Sequence, residues 1–249
     1  MKLKNLLLAG LAVVSLVAFA GCGSNTSTGS QELPKKVVVG LDDSFPPMGF
    51  RDENNQIVGF DIDLAKEAAK RAGMEVGALW NGLTITEERK KNILFSDPYM
   101  QDKELIVVRA DNNSINGKAD LAGKTVGVQT ASAGETALKN DADSKNIKEV
   151  KTYDDYVAAF NDLALGRIDA VVADGVVARY TLTKKPELRI VEGTDYGADI
   201  FAIGFRTDDK ALADKFNQIL IEMKKDGTAD KIAEKWFGTA ADLDKSDAK

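Results

Sequence analysis

Strand-like and helix-like segments alternate along the chain, and this alternation limits the possible folds more than any other feature of the sequence. Between residues 125 and 191, short runs rich in Val and Ile are separated by longer stretches with regularly spaced apolar residues. Strands that alternate with helices form parallel sheets, so the predicted fold class is α/β with parallel-rich sheets. In this part of the chain we predict strands over 125–128, 147–151, 168–173 and 188–191, and helices over 133–139, 153–165 and 176–183.

The flanking segments show the same alternation and predict a second lobe. An apolar stripe predicts a helix over Phe60–Ala72 that ends at Gly73. The polar stretch 111–117 marks a boundary between the lobes. We predict lobe 1 as residues 34–108 plus 206–249, and lobe 2 as residues 109–205. Outside residues 125–191 we also predict strands at 37–41, 74–76, 78–80, 104–109 and 200–205, and helices at 209–225 and 228–236.

Lobe 1 contains one break in the alternation. The predicted strands at 74–76 and 78–80 are separated only by Gly77. Neighbouring parallel strands need a crossover of about a dozen residues or more, usually a helix. We therefore expect lobe 1 to lack one βα unit near Val76–Gly77, either in a shortened variant or because a segment is missing from the recorded sequence.

The composition excludes several classes of functional site. The chain has no His, which excludes Ser-His-Asp and Cys-His catalytic centres and His-ligated metals. A single Cys excludes an intramolecular disulfide and a Cys-cluster zinc site. The net charge of −6, without a basic tract, argues against nucleic acid as a partner. We expect no metal and no cofactor.

The first residues have the pattern of an export signal. Two Lys side chains precede an apolar run from Leu6 to Phe19, which is typical of a signal peptide over residues 1–21. Ala20-Gly21-Cys22 resembles a bacterial lipobox, and this resemblance implies cleavage before Cys22 and a lipid such as palmitate on its sulfur. Residues 22–33 then form the lipidated Cys and a flexible tether. The alternative is an ordinary signal peptide followed by an incidental Cys.

Polar side chains gather where the predicted strands end, and open α/β sheets bind ligands beyond the carboxyl ends of strands. Arg89 presents a planar fork of donors that matches a carboxylate, and N–H groups at nearby helix starts can share the anion. Thr84 or Thr86 is predicted to cap a short helix whose first turn carries Glu87 and Glu88. At another strand end, Asp174 suits an ammonium group. The predicted ligand-binding residues are Asp42, Phe45, Asn81, Gly82, Thr84, Arg89, Gln129, Ser132, Ala133 and Asp174.

Each of these residues also has a purely structural interpretation. Arg89 can be an exposed helical side chain that pairs with Glu88, and Asp174 can cap the helix that follows it. Asp42 can serve only the turn before Pro46, Phe45 can belong to the core, and Ser132 can be only a helix cap. The joint placement of these residues at strand ends in both lobes favours a receptor for a zwitterion.

Five motifs, in order, resemble those of the amino-acid-binding proteins of ABC importers. The resemblance covers nearly the whole chain after the signal segment, and it implies a two-lobe type 2 periplasmic binding fold. Members of this family usually carry further residues between Val76 and Gly77, at the same place as the break in alternation. The motifs are Gly59 to Leu64, Leu83 to Arg89, Phe95 to Tyr99, Gly123 to Val128 and Gly166 to Ala170.

The resemblance also implies roles for the predicted site residues. Arg89 would bind the ligand α-carboxylate with help from Thr84 and the turn at Ala133, and Asp174 would bind the α-ammonium group. The residues expected to face the ligand side chain are Asp42, Phe45, Asn81 and Gln129.

The leading hypothesis is therefore a non-enzymatic, monomeric receptor that passes an amino acid to an ABC permease. Its lobes would close by hinge bending near Arg109 and near Phe205. We expect it to be exported and lipid-anchored to the cell membrane, facing the extracellular side or the periplasm. Asp42 and Asn81 favour a polar or cationic amino acid. The alternatives are an enzyme of the same fold, such as a dehydratase, a sensor domain, or a truncated variant that no longer binds ligand.

Overall fold

The computed structural model describes residues 33, 35, 36, 38, 40–74 and 80–238. These residues all fall within one compact unit. The predicted signal peptide, Cys22 and nearly all of the predicted tether lie outside the described residues, as do most of the strand predicted at 74–76 and residues 78 and 79. No helix in the described part of the chain has both the length and the apolar character needed to cross a membrane.

The first described elements are three short strands and one helix. Strands β1 (Ser44–Phe45), β2 (Gly49–Arg51) and β3 (Ile57–Val58) form an antiparallel sheet. Helix α1 (Phe60–Ala72) has the predicted bounds. It ends because Gly73 adopts a left-handed conformation with φ +68°, which glycine accepts without a steric penalty.

The remaining elements follow the predicted α/β order. The strands are β4 (Leu94–Phe95), β5 (Met100–Arg109), β6 (Thr125–Gln129), β7 (Glu149–Tyr153), β8 (Ala170–Asp174), β9 (Leu188–Phe201) and β10 (Gly204–Phe205). The helices are α2 (Ala133–Asn140), α3 (Tyr156–Ala164), α4 (Gly175–Lys184), α5 (Lys210–Lys225) and α6 (Thr228–Phe237).

A five-stranded sheet with the order β7-β6-β8-β5-β9 is the largest sheet of the described structure. Strand β6 pairs parallel to β7 and β8, and helices α2 and α3 provide the crossovers. Strand β5 pairs antiparallel to both β8 and β9. The predicted α/β class is confirmed in this sheet. The expectation of a parallel sheet in lobe 1 is not met in the described residues. Strands β1, β2 and β3 pair antiparallel, and β4 pairs antiparallel with β10 at the end of predicted lobe 2. Most of β5 lies within predicted lobe 1 but pairs in the five-stranded sheet.

Several predicted elements have different bounds in the structure. The helix predicted from Tyr153 begins at Tyr156, because β7 continues to Tyr153 and the Asp155 carboxylate caps the helix. Strand β9 joins the strand predicted at 188–191 to the first two residues of the strand predicted at 200–205, whose last two residues form β10. It follows β5 across two register shifts. At 37–41, Val37 and Val39 are not described, and no strand covers the other three residues.

Apolar side chains bury β5 on both faces. Val107 belongs to the larger core cluster, whereas Ile106 and Val108 belong to a second cluster with β6 and α2. In the larger cluster, the Trp80 ring is 1% exposed and lies 6.1 Å from the Phe216 ring. The α1–α6 contact includes a hydrogen bond of 2.9 Å from the Trp236 indole nitrogen to Asp63 Oδ2.

Candidate functional site

The Arg89 side chain joins two parts of the chain that are distant in sequence. Its Nη1 donates to the Thr84 carbonyl at 2.9 Å, and its Nη2 donates to the Ala131 carbonyl at 3.0 Å. No ion pair with Glu88 occurs among the described residues. Two of its five N–H donors are therefore used in positioning the guanidinium plane, and the remaining donors are available to an anion.

The short helix near Arg89 is smaller than predicted. It is a single 3-10 turn over Arg89–Lys91, so Glu87 and Glu88 precede it rather than occupy its first turn. The Thr86 hydroxyl accepts a hydrogen bond of 3.1 Å from the Arg89 backbone N–H. Thr86 is therefore the capping residue, and Thr84 contributes its carbonyl to the guanidinium instead.

The start of helix α2 lies against the Arg89 guanidinium. Ser132 Oγ accepts from Glu135 N at 3.0 Å, so Ser132 is a helix cap, as one interpretation held. Glu135 Oε2 accepts from Ala131 N at 2.7 Å and completes a reciprocal pair at this end of the helix. Ala131 has a left-handed backbone with φ +58°, uncommon for a residue with a side chain, and its carbonyl accepts from Arg89. Ala133 opens the helix, and its N–H has no acceptor within it.

Asp42 and Gln129 are in direct contact. Gln129 Nε2 donates to Asp42 Oδ2 at 2.8 Å, and the other Asp42 oxygen accepts from Ser44 N at 2.8 Å. Asp42 thus stabilises the turn that contains Ser44 and also joins β6 to the loop before β1. The same Gln129 amide donates to the Asp154 carbonyl at 3.1 Å.

Phe45 and Gly82 pack together beneath this contact. The Phe45 side chain is 6% exposed and its ring lies 5.8 Å from that of Tyr156, so Phe45 belongs to the core. Gly82 has φ +55°, and a side chain there would start 2.9 Å from Phe45 Cε1. Its N–H donates to Asp61 Oδ2 at 2.6 Å. The neighbouring Asn81 amide is buried without a hydrogen-bond partner among the described residues.

Asp174 ends β8 in a buried position. It occupies the cap position of α4, but its side chain makes no capping hydrogen bond, so the cap interpretation fails. The strand register places Glu104 opposite Asp174, and Asp102 opposite Asp199. Side chains two residues apart on a strand share a face, so these four carboxylates lie on one face of β8, β5 and β9.

Burial and mutual repulsion perturb this carboxylate group. Burial raises the pKa of Glu104 well above its usual value, and the charge of Asp174 adds to this effect. Burial likewise raises the pKa of Asp174, followed in size by the charge of Asp102. Burial raises the pKa of Asp102 to about 7, against a hydrogen bond from Val176 N at 3.2 Å. An ammonium group placed here would meet several poorly solvated carboxyl groups, and its positive charge would favour their ionised forms.

The structure therefore brings Arg89 against the turn before α2 and joins Asp42 to Gln129. Asp174 instead lies among acidic residues that were not predicted. Sequence reasoning missed several residues of the same region. Asp102 and Glu104 alternate at the start of a strongly apolar strand, a pattern that indicates one polar face. No local pattern links them to the more distant acidic residue on β9. The missed residues are Asp61, Asp102, Glu104, Tyr156 and Asp199.

The known proteins that are similar in sequence to this chain are solute-binding proteins. A sequence model of the bacterial extracellular solute-binding proteins, family 3, matches residues 37–78 and 75–239. The chain is 31% identical to the L-cystine-binding protein TcyJ of Escherichia coli K12 over 264 aligned positions, covering 96% of this chain and 98% of that protein. It is 33% identical to the arginine-binding extracellular protein ArtP of Bacillus subtilis 168, covering 94% and 98%.

The solved structures that are similar to this chain include a protein of the same kind. An ancestral arginine-binding protein bound to arginine superposes with a TM-score of 0.77 at 42% identity, covering 83% of this chain and 100% of that one.

Proposed function

Because the chain belongs to the bacterial extracellular solute-binding proteins, family 3, we propose that it captures an amino acid between two lobes and delivers it to an ABC permease. Its fold is the two-lobed α/β fold of the type 2 periplasmic binding proteins. The observation that carries the proposal is the Arg89 guanidinium, which the Thr84 and Ala131 carbonyls hold beside the start of α2 with donors left for a carboxylate. The relatives are named as binding proteins, which supports a receptor without enzymatic activity.

The proposed carboxylate site consists of Arg89 and the start of α2. The carbonyls of Thr84 and Ala131 fix the guanidinium, so little side-chain entropy is lost when an anion binds. The N–H groups of the first turn of α2 add further donors, and the positive end of its dipole favours the anion.

The proposed ammonium site is Asp174, which is 3% exposed and makes no helix-capping bond. A buried carboxylate needs an ionic or hydrogen-bonding partner, and an ammonium group supplies both. Asp42, Phe45, Asn81, Gly82 and Gln129 are then the proposed contacts of the ligand side chain. The excess of carboxylates around the site favours a polar or cationic amino acid, as does the likeness to arginine-binding proteins.

Arg89→Lys tests the carboxylate site. Lysine keeps the charge but loses the two-donor fork, so the affinity for L-arginine should fall at least tenfold, or about 1.4 kcal/mol. Isothermal titration calorimetry, after a screen of the twenty amino acids by calorimetric melting, measures the effect. Arg167→Lys, an exposed Arg bonded to Asp162, is the matched control and should bind normally. Equal affinity in Arg89→Lys and wild type would remove the main support for this site.

Asp174→Asn tests the ammonium site separately. The substitution should weaken L-arginine binding while leaving the much weaker binding of its des-amino analogue unchanged, because only the former presents the α-ammonium group. An equal loss for both ligands would indicate a structural role for Asp174 instead.

We further propose that residues 1–21 direct export and that Cys22 carries a lipid, most simply palmitate, anchoring the protein to the cell membrane as a monomer. The names of the relatives as extracellular or periplasmic proteins support export. Cys22→Ser should release the protein from the membrane fraction into the medium or periplasm. A wild-type protein that already fractionates as soluble would contradict the anchor.

We also propose that lobe 1 lacks one βα unit near Val76–Gly77. Two observations support this. The family match divides into two stretches that meet at 75–78, and the alignment with TcyJ runs over 264 positions although the chain has 249 residues. The antiparallel pairing of the described lobe 1 strands agrees with this loss. If the missing unit carries essential contacts, the twenty amino acids will all fail to bind.

A further inference from the structure

Three carboxylates converge on one face of the five-stranded sheet. Glu104 on β5 is in register with Asp174 on β8, and Asp199 on β9 lies across from Asp102, two residues before Glu104. One oxygen from each of Glu104, Asp174 and Asp199 lies within 4.8 Å of the other two. We call these three residues the carboxylate triad. Like charges opposite one another on neighbouring strands are destabilising, so the triad needs a positive partner or protons.

The triad has unused hydrogen-bonding capacity. Glu104 is 1% exposed, and both of its carboxylate oxygens are buried without a hydrogen-bond partner in the part of the chain that is described. Asp199 Oδ2 is in the same condition. Buried carboxylate oxygens without donors are costly, since the group has lost its water and gained nothing in exchange.

A neutral oxygen from outside the triad faces the same point. Tyr156 is fully buried, and its hydroxyl has no hydrogen-bond partner among the described residues. Burial raises the pKa of this hydroxyl well above its usual value, and the charges of the nearby Glu104 and Asp174 carboxylates raise it further. The hydroxyl would supply a further oxygen ligand, from helix α3 rather than from the sheet.

We propose that the triad, with the Tyr156 hydroxyl, is a binding site for a hard divalent cation such as Ca²⁺ when no amino acid is bound. Such cations take carboxylate and other oxygen ligands and need neither His nor Cys. The distances are suitable. Ca²⁺ bonds oxygen at roughly 2.3–2.6 Å, so ligand atoms on opposite sides of the ion lie up to about 5.2 Å apart. Every separation within the triad falls below this limit.

Occupation by a metal ion and binding of an amino acid should exclude each other. Asp174 belongs to the triad and is also the proposed partner of the ligand ammonium group, and this second role rests on the proposed function. Either cation offsets the same negative charge. We therefore expect the amino acid to displace the metal ion.

Calorimetry on the full chain, first treated with a chelator, tests the metal site. Ca²⁺ at a concentration about tenfold above its Kd should raise Tm by about 3–6 °C. A Kd of roughly 0.1–1 mM is expected, as for extracellular calcium modules. Glu104→Gln keeps the shape of the side chain but removes a ligand charge, and should weaken Ca²⁺ binding at least tenfold. Glu149→Gln, an exposed Glu on β7 of the same sheet, is the matched control and should keep the wild-type rise.

Several results would overturn the proposal. One is no change in the wild-type Tm with Ca²⁺, Mg²⁺ or Mn²⁺ at about 10 mM, well above the expected Kd, which would mean that protons neutralise the triad. Another is an equal rise in wild type and in a Glu104→Gln protein whose circular dichroism shows it to be folded. A third is simultaneous, independent binding of Ca²⁺ and L-arginine, which would place the metal elsewhere. Titrating L-arginine without metal keeps a failure of the proposed function distinct from a failure of this site.

Discussion

At the scale of single residues, Asp61 makes the clearest link between burial and pH. Its carboxyl group is fully buried and accepts from Gly82 N at 2.6 Å. Burial raises its pKa from 3.8 to about 7, and the bond from Gly82 opposes this rise. Between these two values the folded protein holds a proton that the unfolded chain has released. The contribution of Asp61 to stability is therefore full below about pH 4 and is lost as the pH rises to about 7.

Asp61→Asn should remove this dependence. The Asn side chain keeps an oxygen acceptor for Gly82 N and stays neutral, so the variant should gain stability relative to wild type as the pH rises from 4 to 7, by up to about 4 kcal/mol. Urea unfolding at several pH values measures the free energy of unfolding of both proteins. The difference between them reports on Asp61 alone, because the other buried acids are the same in both. Asp208→Asn, at an exposed position, serves as control and should follow the wild-type slope. Parallel slopes for wild type and Asp61→Asn would contradict the raised pKa.

Residue types at strand ends predicted part of the site but not all of it. Arg89 could be identified because it lies in the polar segment after the predicted strand 78–80, and Asp174 because it directly follows the apolar run 168–173. Glu104 and Asp199 could not, since 94 positions separate them along the chain and only the pairing of β5 with β9 brings them together. Register depends on the whole sheet, and no local pattern around either acid records it.

At the scale of elements, the start of helix α3 depends on one capping residue. Asp155 Oδ1 accepts from Ala158 N at 2.7 Å. Asp155→Ala should therefore reduce the free energy of unfolding by about 1 kcal/mol. Asp154→Ala, one residue earlier, is the control and should cost less, because the Asp154 contact with Gln129 uses only its backbone carbonyl. Thermal unfolding of both variants decides the matter, and equal Tm values would rule out the cap.

The same helix shows what periodicity can and cannot predict. The apolar stripe through Tyr156 and Phe160 identified α3, but a stripe carries no information about the first residue of a helix. The cap at Asp155 marks that boundary, just as Gly73 marked the end of α1. Strand β9 was divided in the prediction because Gly193 and Gly197, both with positive φ, interrupt its apolar pattern. Its pairing with β5 continues across this interruption.

At the scale of the whole molecule, the two lobes should differ in local stability. Residues 109–205 supply four strands of the five-stranded sheet, including the fully buried strand β8, whereas β1–β3 and the pair β4 and β10 form sheets of three and two short strands. Amide hydrogen exchange should therefore be at least about tenfold slower in β6 and β8 than in β1–β3, β4 and β10. The comparison requires the intact chain and mass-spectrometric readout of peptides from both lobes.

An insertion variant tests whether the missing βα unit causes the faster hydrogen exchange expected in lobe 1. Insertion between Val76 and Gly77 of the corresponding βα segment of the Bacillus subtilis relative should slow exchange in lobe 1 and leave β6 and β8 unchanged. Uniformly slow exchange in the original chain, together with micromolar amino-acid binding, would show instead that lobe 1 compensates for the loss.

Both tryptophans lie within the residues proposed as lobe 1, so intrinsic Trp fluorescence would report on that lobe and not on lobe 2. Trp80 is enclosed by Tyr99 and Phe216, and Trp236 is held by its bond to Asp63. The sequence contains only these two indoles. Excitation at the red edge of the ultraviolet band therefore probes residues 34–108 and 206–249, whereas lobe 2 contributes no indole emission. Any quenching or spectral shift that a bound solute produces must reach lobe 1, even when the solute makes most of its contacts elsewhere.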